Sequence, residues 1–305
     1  MSRARVAILG AGAMGTLYGY ALAEQNDVTM VDVRADVIES IAQRGLLVDD
    51  QRPRRVEATR DPARAFGCSF MFLFVKAADT MGAVRPFTGQ LNPATPIISL
   101  QNGLGNEEAI KVALGGKVPL VLGVTTEGAL AVGHGHSRHI TVGATLLGSG
   151  GASAATLQSV AKLLEGGGLS ASIAYDIRPH LWGKLLVNAA INPVAALLDR
   201  RNGAITEDPD ATELARAVAL EVAAVARALR ISLPTADPWE YVRETVTATF
   251  EARNSMTLDL EAKRRTEIEQ INGAIVAAGR RAGIATPFNE ALLRLVKAKE
   301  RSSID

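Results

Sequence analysis

A short aliphatic run, Arg5-Val6-Ala7-Ile8-Leu9, leads directly into Gly10-Ala11-Gly12-Ala13-Met14-Gly15 and from there into a helical pattern reaching about Glu24. No other stretch restricts the fold so tightly, because strand, tight glycine turn and helix in this order open an α/β unit of the doubly wound kind. Glycines at 10, 12 and 15 let the backbone turn sharply, approach a pyrophosphate and pack helix on strand, while the helix start at Ala13 and Met14 offers free amides to phosphates. Val28-Thr29-Met30-Val31 then reads as a second strand ending in Asp32, 22 residues after Gly10, where such units place an acid on the adenosine ribose. A glycine turn without a ligand is the plainer alternative, and the position of Asp32 favours a dinucleotide.

The same logic continues along the first half. Ala35 to Arg44 has helical periodicity and stops at Gly45, a fitting C-cap, and residues 46–60 read as a short strand or hairpin. Phe70-Met71-Phe72-Leu73-Phe74-Val75 is nearly all apolar, as expected of a parallel strand covered on both faces. It ends in Lys76, on the edge where open α/β sheets bind ligands, unless that cation is simply a solvated strand end. Pro96 to Leu100 repeats the pattern ahead of the polar loop Gln101-Asn102-Gly103-Leu104-Gly105-Asn106, with a helix from about Glu107. Leu120 to Val124 delivers Thr125 and Thr126 to the same edge, so four strands are expected to present polar tips together. Gly148–Gly151 and Gly166–Gly168 read as loops, residues 171–175 as a short strand, and the domain boundary falls near Asp176, giving domains 1–176 and 177–305.

A chain of 305 residues is long for one core, which agrees with two domains. With 48% hydrophobic and 21% charged residues and a net charge of +1, it offers no electrostatic case for nucleic acid or an anionic membrane. Arg52, Arg54 and Arg55 read as a solvated turn. A single cysteine, Cys68, excludes an intrachain disulfide, fits a reducing compartment and reads as core. The early arginines precede a strand broken at once by glycines rather than a signal peptide, and no uninterrupted apolar run reaches the ~18 residues of a bilayer span, so a cytoplasmic protein is expected. His134, His136 and His139 crowd one segment, but His134 and His136 alternate as in a strand and no carboxylate or cysteine lies nearby in sequence, so no metal is expected.

From Ile177 onward the patterns are helical, over 178–199 with a kink at Pro193, 207–229, 237–253, 255–282 and 288–300. The first of these holds Trp182 to Pro193, an apolar stretch in which Lys184, Asn188 and Asn192 fall at i, i+4 and i+8 on one stripe. A cation and two amides in so apolar a segment must reach water or meet a polar ligand.

These motifs, taken together, resemble the ketopantoate reductases (2-dehydropantoate 2-reductases), which join a Rossmann domain to a helical substrate domain. The likeness runs end to end through Gly10–Gly15, Val75-Lys76, Gln101-Asn102-Gly103, Lys184-x3-Asn188-x3-Asn192-Pro193, Asn202-Gly203, Ser255-Met256, Arg265-Thr266-Glu267-Ile268 and Ile271-Asn272-Gly273. The resemblance implies Lys184 as general acid with Glu267 as its acidic partner at the substrate hydroxyl. It implies Asn102 and Lys76 beside the cofactor, and Asn188, Asn192, Asn202 and Ser255 on the substrate's polar groups. Glutamate among Lys263, Arg264, Arg265 and Glu269 would otherwise read as one more solvated helix face. The family's Asn-x-Ser-Ser-Met is here Ala252-Arg253-Asn254-Ser255-Met256, so one expected asparagine is lost. The family default is NADPH, whereas Asp32 leans towards NADH because it repels a 2′-phosphate, with Arg34 and Arg44 as approximate basic substitutes. The resulting expectation is an NAD(H)- or NADP(H)-dependent oxidoreductase of pantothenate biosynthesis that reduces a small 2-keto acid, admits a homodimer, and binds neither nucleic acid nor membrane. The alternatives are a related 2-hydroxy-acid dehydrogenase and a catalytically silent dinucleotide sensor.

Overall fold

In a computed structural model the chain divides into two compact units, Met1–Gln101 with Asn106–Ile177, and Asn102–Gly105 with Arg178–Asp305. The structure describes residues 3–116 and 118–304.

The first unit runs β1 (Arg5–Leu9), α1 (Ala13–Leu22), β2 (Asp27–Val31), α2 (Ala35–Arg44), β3 (Leu47–Val48), β4 (Glu57–Thr59), β5 (Phe70–Leu73), α3 (Thr80–Val84), β6 (Ile97–Ser99), α4 (Asn106–Leu114), β7 (Leu120–Thr125), β8 (Gly128–Gly133), β9 (His136–Thr141), β10 (Thr145–Ser149), α5 (Ala154–Gly166) and β11 (Ala171–Ile173). Its main sheet has the order β11-β10-β7-β6-β5-β1-β2-β4 and is parallel from β7 to β4, with β10 antiparallel to β7. Chain order reverses between β1 and its neighbours β2 and β5, and the carboxyl end of β1 at such a switch point is where open α/β sheets receive ligands. The buried apolar side chains of β1, β5, β6 and β7 explain the near-continuous apolar runs of these strands. The mixed stretch 46–60 resolves into β3, β4 and an antiparallel bridge from Leu46 to Arg54, and β3 joins β9 and β8 in a second small sheet.

Several expectations change here. Gly148 lies inside β10 rather than in a loop, and β10 is short and flanked by glycines, which hid its alternation. His134 sits in the turn between β8 and β9, outside any strand. Arg54 and Arg55 are docked, not merely solvated: Arg54 lies 4.2 Å over the Tyr20 ring and donates to Tyr20 O, while Arg55 donates to Ala42 O and Gln43 O, so both cap helix C-termini. Cys68 is buried, and burial pushes its thiol up to about 11.

The second unit is helical: α6 (Arg178–Leu198), α7 (Ala204–Glu207), α8 (Pro209–Ala228), α9 (Pro238–Ala248), α10 (Ser255–Glu261), α11 (Asn272–Ala282) and α12 (Pro287–Ile304). Helix α6 is its axis. By length and composition α6 passes for a membrane span, with mean hydropathy 1.4, but 67% of that window is buried inside the protein, against alanines and valines of α8 and Met256, Ile275 and Val296. Helix α9 stops at Ala248 instead of 253 because the chain beyond it pairs with the turn after α6, Asn202 N–H to Ala252 O and Gly203 N–H to Phe250 O, both at 2.9 Å.

The single helix expected over 255–282 is in fact two. After α10, Lys263 takes a left-handed φ of 52°, and Arg264 both donates its N–H to Asp259 O at 2.8 Å and pairs with the Asp259 carboxylate. The charge spacing that imitates an exposed helix face hides Thr266, Glu267 and Ile268, three consecutive buried residues that a half-solvated helix has no face to bury.

Candidate active site

In the first unit the glycine turn is built for close approach. Gly10 has φ +100° and its backbone lies against Phe74 and Val75, where a Cβ would fall 2.6 Å from Val75 N, and a Cβ on Gly15 would stand 1.9 Å from Gly10 O. A Cβ on Gly12 would meet nothing within 4 Å, so the space beside it is open to an incoming group. Helix α1 starts at Ala13 with no side-chain cap, leaving its first-turn amides, including Met14, to an external acceptor. Open space at Gly12 and uncapped amides at the switch point fit a dinucleotide pyrophosphate.

Asp32 closes this turn from β2. Its Oδ2 accepts the Ala11 N–H at 2.8 Å, and its Oδ1 accepts the Arg34 N–H at 3.0 Å and Nε at 3.1 Å. Burial works to raise the carboxyl, but the Arg34 side chain, with the Arg34 and Ala11 N–H groups, outweighs it and holds Asp32 below the usual carboxylate range. The acid therefore carries its own counter-charge. Lys76 lies half-buried just past β5, at the carboxyl edge. Thr125 is no ligand tip, because it is buried and accepts the Tyr18 hydroxyl at 3.0 Å. The three histidines diverge: His134 faces Asp36, His136 the Asp49 carbonyl, and His139 the buried Glu127 at 2.6 Å.

In the second unit α6 holds Lys184 and Asn188 half-buried and Asn192 buried, while Trp182, Leu185, Leu186, Ala189 and Ala190 face the core. Helix α6 continues through Pro193, which has no N–H for the Ala189 carbonyl, and Asn272 Nδ2 supplies that bond at 3.2 Å. Glu267, buried in the 262–271 loop, accepts the Asn102 Nδ2 at 3.1 Å, and the Leu104 N–H to Gln270 O bond at 2.9 Å seats the Asn102–Gly105 segment on that loop. Burial pushes the Lys184 ammonium down to about 8, while the Glu267 carboxylate pulls it upward. An ammonium poised there gives up a proton readily near neutral pH, and a fixed carboxylate keeps it charged.

Lys184 and Glu267 thus lie together, Asn102 joins them through its bond to Glu267, and Asn188 and Asn192 share the Lys184 stripe. Among the described residues neither of these two asparagine side chains makes a hydrogen bond. Asn202 differs, because its Nδ2 donates to Thr249 Oγ1 and its Oδ1 accepts from Asn254 Nδ2, each at 3.0 Å, so both ends are engaged by protein. Asn254 is also the N-cap of α10, accepting from Met256 N–H and Thr257 N–H, which leaves Ser255 exposed at the helix start. No local pattern signals the Asn272 bond to Ala189, although a proline inside a helix announces that some donor must replace the missing one.

The family models agree with this architecture. Ketopantoate reductase PanE/ApbA matches residues 6–151, and ketopantoate reductase PanE/ApbA C terminal matches residues 176–300. The 2-dehydropantoate 2-reductase of Archaeoglobus fulgidus is 35% identical over 303 residues, covering 97% of this chain and 98% of its own. The PanE/ApbA family ketopantoate reductase of Ralstonia eutropha superposes with a TM-score of 0.91 at 28% identity, covering 99% of this chain and 100% of its own. A D-mandelate dehydrogenase solved with NADH superposes with a TM-score of 0.89 at 26% identity, covering 98% and 99%. On two family models that together span most of the chain, and on a near full-length relative, the protein belongs to the ketopantoate reductase family.

Proposed function

We propose that the protein reduces 2-dehydropantoate (ketopantoate) to pantoate, with Lys184 donating the proton to the C2 oxygen. The observation that carries this reading is a lysine on an otherwise apolar helix, beside a buried glutamate that is itself fixed by Asn102. As C2 is reduced its oxygen gains negative charge, and an ammonium within reach neutralises that charge and completes the alcohol. Glu267 keeps Lys184 protonated between turnovers, and Asn102 fixes the direction of the Glu267 carboxylate. Gly10, Gly12, Ala13, Met14 and Gly15 would hold the dinucleotide's phosphates, with Asp32 and Lys76 flanking it. The nicotinamide cofactor supplies the hydride.

Asp32 alone would favour NAD(H), but its pairing with Arg34 cancels much of the repulsion towards a 2′-phosphate, so the cofactor preference is expected to be weak. Asn188 and Asn192 remain for the substrate's hydroxyl and carboxylate, with Ser255 as a further donor. A second reading, reduction of another 2-keto acid, draws on one observation: Asn202, a candidate for the distal hydroxyl of ketopantoate, is tied at both ends of its amide by Thr249 and Asn254. A silent sensor has no use for the Lys184–Glu267 pair. Steady-state kinetics on ketopantoate and 2-ketoisovalerate, each with NADH and NADPH, tests the proposal. A site that bonds the distal hydroxyl prefers ketopantoate strongly, by as much as ~10⁴, and equal efficiency on the two acids would favour the second reading.

A further inference from the structure

Between α10 and α11 the chain is irregular, so the direction of the Glu267 side chain depends on what holds residues 264–268 rather than on helical geometry. The strongest tie comes from Glu300 on α12, whose Oε1 accepts the Thr266 N–H at 2.7 Å and the Thr266 hydroxyl at 2.6 Å. Thr266 is 4% exposed and Glu300 9%, so these are charge-assisted bonds shielded from water. The Thr266 oxygen in turn accepts the Ile268 N–H at 3.2 Å, which fixes Glu267 from both sides. Lys297, one turn earlier on α12, pairs with Glu269 of the same loop. Lys299, next to Glu300, donates to Ala196 O at 3.0 Å and Leu197 O at 3.3 Å, at the end of the helix that carries Lys184. One stretch of α12 therefore grips both the Glu267 loop and the Lys184 helix.

We propose that Glu300 is a positioning residue for the reduction: by binding both donors of Thr266 it sets the Glu267 carboxylate towards Asn102 and Lys184. The proposal rests on the assignment of Lys184 and Glu267 made above. A buried carboxylate is a costly way to hold a loop whose only task is to connect two helices. It is warranted where a side chain on that loop must keep one direction, since misplacing a reacting group by about 1 Å can cost up to ~100-fold in rate.

The test compares Glu300→Ala, Glu300→Gln, Thr266→Val and Glu267→Gln in the full chain, reading kcat, KM for both substrates, the pH dependence of kcat/KM, and Tm. Glu300→Ala is expected to lower kcat by about 10- to 100-fold with KM for the cofactor unchanged. Its basic limb should move to lower pH, because a displaced Glu267 no longer supports the charged lysine. Glu300→Gln keeps an acceptor oxygen and should restore most of the kcat. Thr266→Val keeps the N–H bond and loses the hydroxyl, so it should show the same changes at smaller size even if Glu300→Ala does not fold. A fall in Tm for Glu300→Ala and Thr266→Val with kcat and the pH limb unmoved would overturn the positioning role. If Glu267→Gln itself has wild-type kinetics, the Lys184–Glu267 assignment fails and this inference with it. If Glu267→Gln is impaired while Glu300→Ala and Thr266→Val are not, only this inference fails.

Discussion

The bond from Asn272 to Ala189 makes a quantitative prediction about how α6 tolerates an internal proline. Pro193 deprives the Ala189 carbonyl of its helical donor, and Asn272 Nδ2 replaces it at 3.2 Å while also reaching Asn289 Oδ1 at 3.0 Å. Asn272 is wholly buried, and its Oδ1 has no partner among the described residues. Asn272→Ala therefore leaves two buried acceptors without a donor, at about 1–3 kcal/mol each, and removes one orphaned acceptor that already costs a similar amount. The net loss is about 1–3 kcal/mol. Pro193→Ala returns an N–H to the Ala189 carbonyl, so in that background Asn272→Ala should cost about 1–2 kcal/mol less. Thermal unfolding of the four proteins reads this directly, because 1 kcal/mol moves Tm by roughly 1.5–2 °C for a chain of 305 residues. Additive Tm shifts would refute the claim that Asn272 serves the carbonyl freed by the proline.

Arg34→Ala should shift cofactor choice towards NADH. It uncovers the Asp32 charge against a 2′-phosphate, and with Arg34 half exposed, solvent limits the effect to about 1–2 kcal/mol, or roughly 5- to 30-fold in the ratio of NADPH to NADH efficiency. An unchanged ratio would show that the pair does not lie at the ribose. Asn192→Ala should erode the preference for ketopantoate over 2-ketoisovalerate more than it slows the poorer substrate, because a buried amide that bonds a hydroxyl discriminates against the analogue lacking it. Equal losses on both acids would remove Asn192 from the specificity set.

Much of this was legible where a residue's requirement is local. The glycine turn, the α2 stop at Gly45 and the Lys184 stripe each follow from backbone sterics or helical spacing, and each stands where the sequence placed it. What stayed hidden is set by partners far along the chain. Glu267 is 165 residues from Asn102, and Glu300 is 34 from Thr266, so neither contact leaves a periodic trace. The break at Lys263 was masked because the surrounding charges keep helical spacing while the buried residues do not. The family resemblance implies Asn202 as a substrate ligand, while Thr249 and Asn254 engage it from 47 and 52 residues away. That Arg34 folds back onto Asp32 is a matter of rotamers, which spacing does not encode.

The pH dependence of kcat/KM for ketopantoate reduction, measured on the wild type and on Lys184→Ala, tests the central assignment most directly. The ammonium is the working form and burial sets its ordinary range down to about 8, so wild-type efficiency should hold below that pH and fall as pH rises through it. Lys184→Ala should lose the limb and lower kcat by roughly 10²–10⁴ with cofactor binding intact. Wild-type turnover in Lys184→Ala, with the limb still near 8, would contradict the assignment of Lys184 as proton donor.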